Sequence, residues 1–348
     1  MKKHSQYMRR CIQLAQNGLG STYPNPLVGC VIVYEDRIIG EGWHYQAGQA
    51  HAEVNAINSV KKPELLTKAT LYVSLEPCSH FGKTPPCSDL IIAKGIKKIV
   101  IGTIDSFAEV SGRGIQKLIQ AGCDVTVGIL ENECNDLNRR FFTFHNKKRP
   151  YIILKWAETQ EHFIAPTNLR TERAPVWITQ APAKQLVHQW RAEEQAILVG
   201  TRTAALDNPR LTLREWQGNQ PVRILLDKNN KVPKNSLIFD TTARTICFVE
   251  TPIETTPDST TEYIKVDFDK NLIQSICQAL YERSIQSLIV EGGATTLQSF
   301  IDLDLWDEAR VFTGKTFFKE GTLGPSIKGY KPISTYIGAD LLTVYHND

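Results

Sequence analysis

No stretch of the sequence approaches the ~18 consecutive apolar residues of a membrane span, and the opening Met1-Lys2-Lys3-His4-Ser5-Gln6 lacks the apolar core of a secretory signal. An integral or exported protein is therefore not expected, and the cytoplasm is the default location. Charge of one sign is also scarce. The formal net charge is +3, the basic residues are dispersed, and their densest cluster is Lys147-Lys148-Arg149. Without a basic face or stripe, tight nucleic-acid binding is disfavoured, which leaves a small, anionic substrate. Internal repeats, low-complexity tracts and a spaced-glycine dinucleotide fingerprint are likewise missing, which argues against solenoids and a Rossmann domain. Eight cysteines occur, but with no export signal they are expected as reduced thiols, not a disulfide framework. Cys30, Cys123, Cys247 and Cys277 sit in apolar runs and are assigned to core packing.

A length of 348 residues suits two domains, and the 42% apolar and 22% charged shares are those of globular proteins. The patterning predicts a helix over 4–18, a hairpin of Leu27–Tyr34 and Arg37–Trp43, then helix His51–Val60, strand Thr70–Leu75, helix Cys87–Lys94, strand Ile99–Thr103, helix Ile115–Gln120 and strand Asp124–Val127. Such an order describes an α/β sandwich with a mixed sheet. The polar, basic Phe144–Pro150 places a boundary between halves spanning 1–146 and 149–348. The second half predicts strands at Tyr151–Trp156, Val176–Thr179, Ala196–Val199, Val222–Leu226, Thr245–Val249, Ser287–Val290 and Glu308–Thr313, and helices at Ala181–Glu194, Leu272–Glu282 and Ala294–Ile301. The Thr/Pro-rich Glu250–Thr261 reads as a loop.

The first half carries His51-Ala52-Glu53, then Glu76-Pro77-Cys78 and, after eight intervening residues, Cys87. One imidazole and two thiolates (His51, Cys78, Cys87) are a catalytic zinc set that leaves a fourth position for water. Glu53, two residues from the imidazole, is the proton shuttle of zinc deaminases acting on amino-heterocycles and is not itself a ligand. The competing reading is a structural zinc completed by His44 or His80. In the second half, the run Leu288-Ile289-Val290-Glu291-Gly292-Gly293-Ala294 brings a strand through two glycines into a helix start, a form that lets backbone approach a phosphate but also serves as a plain turn.

Pro24-Asn25-Pro26-Leu27-Val28-Gly29, Gly40-Glu41-Gly42-Trp43-His44, His51-Ala52-Glu53 and the stretch Glu76–Cys87 resemble the deaminase half of the RibD family of bifunctional riboflavin biosynthesis enzymes. That resemblance implies a cytidine-deaminase-like α/β/α sandwich, a 2,5-diamino-6-ribosylamino-pyrimidinone 5′-phosphate as substrate, and Asn25, His44, His80 and Lys83 lining its site. Trp177-Ile178-Thr179, Trp190-Arg191-Ala192, Ile197–Thr201, Asp207-Asn208-Pro209-Arg210-Leu211 and Pro221-Val222-Arg223 resemble the reductase half of the same family. By that resemblance the second half is a dihydrofolate-reductase-like α/β domain that uses NADPH to open the ribosyl group to ribityl. Arg191, Leu211, Arg214 and Glu291 would contact substrate, the two arginines holding its phosphate as guanidinium forks. Trp177, Thr203, Asp207, Gly293, Ala294, Thr295, Thr296 and Leu297 would lie along NADPH.

Three departures from the family pattern stand out. Where the family reads Lys-x-Ala-x-Ser-Leu-Asp-Gly, this chain has Lys155-Trp156-Ala157-Glu158-Thr159-Gln160-Glu161-His162, and the lost glycine removes a residue suited to φ > 0. Asp105-Ser106-Phe107-Ala108 replaces Asp-Pro-Asn-Pro, and Pro175 replaces a serine. The expectation is a cytoplasmic, homo-oligomeric, two-site enzyme acting on a small phosphorylated pyrimidine, with zinc and NADPH and with neither nucleic acid nor membrane as partner. The alternatives are a single-activity deaminase with a non-catalytic second half, and an RNA-editing deaminase.

Overall fold

The computed structural model describes residues 2–79, 81, 85–105, 112–167, 174–253 and 259–347. The chain divides into two compact units, Met1–Lys148 and Arg149–Asp348.

The first unit runs α1 (Lys2–Gln16), β1 (Gly29–Tyr34), β2 (Arg37–Trp43), α2 (Ala52–Ser59), β3 (Thr70–Leu75), α3 (Cys87–Ala93), β4 (Lys98–Thr103), α4 (Arg113–Gln120), β5 (Asp124–Val127), α5 (Glu131–Leu137) and α6 (Arg139–Lys147). Its sheet has the order β2-β1-β3-β4-β5, antiparallel at β2-β1-β3 and parallel at β3-β4-β5. Alternation along the strands separates two cores. Cys30, Ile32, Leu71, Val73, Ile99 and Ile101 meet Ala56 and Ile57 of α2, Ile91 of α3 and Leu118 of α4 on one face. Val31, Val33, Tyr72 and Val100 meet Tyr7, Met8, Cys11 and Leu14 of α1 and Cys134 of α5 on the other. The α1 residues recur at helical spacing, so one stripe covers the sheet. It packs directly on β1 at Gly29, where a Cβ would collide with the Cys11 carbonyl.

The second unit runs β6 (Tyr151–Glu158), β7 (Phe163–Pro166), α7 (Ala181–Glu193), β8 (Ala196–Gly200), α8 (Thr201–Asp207), β9 (Val222–Leu226), β10 (Thr245–Val249), β11 (Thr261–Lys265), α9 (Leu272–Glu282), β12 (Ser287–Val290), α10 (Ala294–Asp302), β13 (Glu308–Thr313), β14 (Gly321–Leu323), β15 (Ile333–Ile337) and β16 (Asp340–His346). Nine strands form one sheet in the order β11-β10-β9-β8-β12-β6-β13-β16-β15. All pairs are parallel except β13-β16 and β16-β15. Strands buried on both faces need apolar residues throughout, which is why β8 and β10 read as unbroken runs. Residues of α9 and α10 such as Ile276, Leu280, Leu297 and Phe300 cover one face, and Val187 and Trp190 of α7 cover the other.

Four of the sequence expectations need amendment. Val176–Thr179 forms no strand. Thr316 Oγ1 donates to its Ile178 carbonyl at 3.1 Å, and just beyond it Asp340 accepts the Gln180 N–H at 2.7 Å. Leu137–Phe142, left unassigned, straddles α5 and α6. The first helix ends at Gln16, before Gly18. His162 adopts φ +64 in place of the missing glycine, and its Nδ1 bonds Glu158 Oε1 at 2.7 Å. His80, Lys83 and Ser106-Phe107-Ala108 lie outside the described residues.

Candidate functional site

In the first unit, β3 and α2 deliver the ligand set. His51 is the N-cap of α2, Cys78 follows β3 after Glu76-Pro77, and Cys87 opens α3. The ligand atoms of His51, Cys78 and Cys87 all lie within 4.8 Å of one another. His51 Nδ1 is 3.6 Å from Cys78 Sγ and 3.4 Å from Cys87 Sγ. Tetrahedral zinc with ordinary Zn–S and Zn–N bonds separates such atoms by about 3.6 Å, so donor chemistry and spacing both fit that ion. The Cys87 N–H donates to Cys78 Sγ at 3.2 Å. Hydrogen bonds from Cys87 and His51 push the Cys78 thiol down to about 4, whereas the neighbouring Cys78 sulfur, burial and Glu53 push Cys87 up. Of the two sulfurs, Cys78 is the one whose surroundings favour the thiolate that a cation needs.

Glu53 is buried in the first turn of α2, beside Cys87. Burial and the Cys78 charge raise its carboxyl to about 7, the range in which a carboxyl both takes and gives protons near neutrality. His44 is buried with both ring nitrogens engaged: Nδ1 donates to the Ala50 carbonyl at 3.1 Å, so Nε2 accepts from Asn25 Nδ2 at 3.0 Å. This chain of bonds fixes the Asn25 amide and frees its oxygen to accept. Asn138 holds the same segment, exchanging bonds of 2.8 and 2.9 Å with the Leu27 backbone. Sequence reasoning missed Asn138, which lies 111 residues from Leu27.

In the second unit the carboxyl ends of β6, β8 and β12 meet, the usual position of a ligand crevice in a parallel sheet. Arg191 Nε and Nη2 donate to Glu291 Oε1 and Oε2 at 3.3 and 2.8 Å. Burial raises the Glu291 carboxyl, but Arg191 and Lys155 outweigh it and hold the group at about 2. Burial pushes the Lys155 amine down, and Glu291 opposes that change. His188 accepts the Arg214 N–H at 3.3 Å through Nδ1; burial, Arg191 and Arg214 hold it down at about 4, hence neutral. Arg214 is exposed, and burial of its inner part together with Arg191 pushes its pKa down. Two guanidinium groups repelling one another mark a place where an anion is favoured. Leu211 is buried at φ +59. Lys155 and His188 were not singled out from sequence, although a lysine inside an apolar strand is itself a signal.

The cofactor residues converge only in part. Gly292 packs so closely that a Cβ would come within 2.8 Å of Val199 Cα, and Gly293, the N-cap of α10, has φ +76. A Cβ on Gly293 would stand 3.5 Å from Thr203 Oγ1 and 3.8 Å from Thr296 Oγ1. Two hydroxyls thus flank a glycine cradle at a helix start, and that arrangement fits a phosphate-bearing nucleotide. Ala294 and Thr295 continue the first turn, while Leu297 is buried in the core and offers backbone alone. Asp207 closes α8 before the left-handed Asn208 and does not cap a helix start. Trp177 is 54% exposed beneath Lys184 Nζ, 4.8 Å from its ring centre. Among the described residues, no helix is long and apolar enough to cross a membrane.

Residues 1–103 match the cytidine and deoxycytidylate deaminase zinc-binding region, and residues 150–318 match the RibD C-terminal domain. The riboflavin biosynthesis protein RibD of Aquifex aeolicus is 38% identical over 351 residues, covering 97% of this chain and 97% of that protein. The Escherichia coli riboflavin biosynthesis protein RibD is 36% identical over 323 residues, covering 88% and 86%. Among solved structures, the Thermotoga maritima diaminohydroxyphosphoribosylaminopyrimidine deaminase/5-amino-6-(5-phosphoribosylamino)uracil reductase superposes with a TM-score of 0.89 at 38% identity, covering 99% of both chains. Acinetobacter baumannii RibD gives 0.88 at 29% identity, again over 99% of both.

Proposed function

Because the chain belongs to the RibD family of riboflavin biosynthesis proteins, we propose that it catalyses two consecutive steps. The first unit hydrolytically deaminates 2,5-diamino-6-ribosylamino-4(3H)-pyrimidinone 5′-phosphate, and the second reduces the ribosyl group of 5-amino-6-(5-phosphoribosylamino)uracil to ribityl. The observation that carries this reading is the His51–Cys78–Cys87 triangle with the buried Glu53 beside it, in the same chain as the Glu291–Arg191 pair and the Gly292-Gly293 turn.

His51, Cys78 and Cys87 would hold the zinc, which when bound would make water a nucleophile at neutral pH. Glu53 would carry one proton from the attacking water to the ring nitrogen and a second, from the hydroxyl so formed, to the amine that departs as ammonia. Asn25, its amide turned by His44, presents an oxygen to a donor on the substrate. His80 and Lys83 complete the substrate contacts.

NADPH supplies the reducing equivalent when bound, along Trp177, Thr203, Asp207 and Gly293–Leu297. Gly292 and Gly293 let backbone approach its phosphates, and Thr203 and Thr296 donate from either side. Arg191, Arg214 and the Leu211 backbone receive the substrate phosphate, and its negative charge relieves the repulsion between the two guanidinium groups. Glu291, kept ionised by Arg191 and Lys155, accepts a substrate hydroxyl. The protein is read further as a cytoplasmic homo-oligomer that binds neither nucleic acid nor membrane, and light scattering of the purified chain tests the assembly state.

The decisive experiment supplies the two substrates separately. Glu53→Gln is expected to retain zinc and to lose ammonia release by 100-fold or more, roughly the worth of a positioned acid–base group, with NADPH oxidation on the deaminated substrate unchanged. Loss of zinc in that variant, or no NADPH oxidation by the wild type, would contradict the reading.

A further inference from the structure

Glu76 lies two residues before the zinc ligand Cys78 and is 4% exposed. A buried carboxylate so close to a metal set is chemically able to ligate or to carry protons. Its hydrogen bonds assign it elsewhere. Oε1 accepts the N–H groups of Gly114 at 2.8 Å and Ile115 at 3.2 Å. Oε2 accepts those of Gly112 at 2.9 Å and Asp105 at 3.4 Å. Gly112 is the N-cap of α4, and Gly114 and Ile115 belong to its first turn, so the carboxylate satisfies N–H groups that have no partner inside the helix and sits at its positive end.

The contact is also steric. A Cβ on Gly114 would collide with the Pro77 carbonyl and stand 3.1 Å from Glu76 Oε1, so the start of α4 rests directly on the backbone that leads to Cys78. On the other side of Cys78, the Ser88 N–H donates to its carbonyl at 3.1 Å and the Cys87 N–H to its sulfur at 3.2 Å. The loop is held at both ends by protein groups alone.

We propose that Glu76 is a positioning residue for the metal: by binding the N-terminus of α4 it sets the path of Pro77-Cys78, so that the Cys78 sulfur stands at ligand distance before zinc arrives. The inference rests on the reading of the first unit as a zinc site. It predicts that loss of the Glu76 charge weakens zinc retention, although Glu76 touches neither the ion nor the substrate.

The test uses the full chain with Glu76→Gln, in which an amide N–H₂ must face two backbone donors. Zinc retention is measured by competition with a chromophoric chelator, and thermal unfolding is compared between the zinc-loaded and zinc-stripped forms. Zinc affinity is expected to fall by roughly 10- to 100-fold, the usual effect of losing a group that orients a ligand, and the stabilisation gained on adding zinc shrinks with it. NADPH oxidation by the second unit stays at the wild-type rate. If loaded and stripped forms are destabilised equally and zinc affinity is unchanged, Glu76 only supports the fold and the inference is overturned. A wild-type chain with no stabilisation by zinc would overturn the zinc reading itself, and the inference with it. Should Glu76→Gln not fold, Gly114→Ala carries the same test, because its new Cβ crowds both the Pro77 carbonyl and Glu76 Oε1 while keeping the carboxylate's charge; unaltered zinc affinity there is equally fatal.

Discussion

Replacing Arg191 with alanine probes the reductase unit at its most charged point. Arg191 and Glu291 form a two-point ion pair at 3.3 and 2.8 Å, with each side chain 11% exposed. The pair and Lys155 lower the carboxyl from an ordinary 4.5 to about 2 against the opposing effect of burial. A depression of that size corresponds to roughly 3 kcal/mol in favour of the folded, ionised form, and breaking a buried pair from one side costs a similar ~3–5 kcal/mol. The folded pKa lies below the unfolded one, so this stability is fully present above pH ~4.5 and is lost as pH falls toward ~2.

Arg191→Ala is therefore expected to lower the unfolding free energy of the second unit by about 3 kcal/mol at pH 7.5, with the difference from wild type narrowing below pH ~4. Urea denaturation followed by tryptophan fluorescence reads this unit selectively. Trp156, Trp177, Trp190, Trp216 and Trp306 lie in it, and only Trp43 lies in the first. Arg191→Met combined with Glu291→Gln should recover much of the loss, since the stranded carboxylate is then gone. In the single variant NADPH oxidation falls while ammonia release persists. The reasoning is refuted if Arg191→Ala unfolds like wild type at pH 7.5, if its deficit is the same at pH 3, or if both half-reactions fall together.

His188, held neutral with a folded pKa of about 4 against an ordinary 6.5, contributes stability that is complete above pH 6.5 and declines as pH falls toward 4. His188→Asn, which keeps an acceptor for the Arg214 N–H, should flatten that part of the stability–pH curve; an unchanged slope between pH 6.5 and 4 argues against a buried neutral imidazole. Gly293→Ala places a side chain on a backbone at φ +76 and is expected to cost about 1 kcal/mol while raising KM for NADPH more than it lowers kcat, and equal KM values would remove Gly293 from the cofactor site. Zinc removal by chelation should abolish ammonia release, leave NADPH oxidation on the deaminated substrate intact, and be reversed by added zinc; retention of ammonia release by a zinc-free chain would dismiss the metal.

Much of the architecture was legible wherever one local pattern suffices. Val222–Leu226, apolar but for Arg223, and Thr245–Val249 are short β-rich runs suited to a covered sheet, and both are strands with the expected bounds. His51, Glu53, Cys78 and Cys87 are legible because their spacing, through two turns of chain, already implies a common pole. The segment Val176–Thr179 has the same apolar look but forms no strand, and the Thr316 hydroxyl bonds its Ile178 carbonyl. α5 and α6 escaped notice because much of their sequence is polar and only isolated residues such as Cys134 and Phe144 are buried. β15 was missed for a related reason: four of its five residues are exposed, which erases the period-two signal.

By itself the sequence determined residue types and their local spacing: one imidazole and two thiols with a carboxylate beside the imidazole, a strand-to-helix turn through Gly292-Gly293, and a polar, basic stretch leading to Arg149-Pro150. These follow from chemistry within a few residues, which covalent geometry alone keeps together. Tertiary structure decided which charge meets which. Arg191 finds Glu291 from 100 residues away, Asn138 finds Leu27 from 111, and Glu76 reaches across to the first turn of α4. Such pairs leave no periodicity in the chain, because their distance is set by the packing of sheets and helices, and burial then sets how strongly each charge acts on the next.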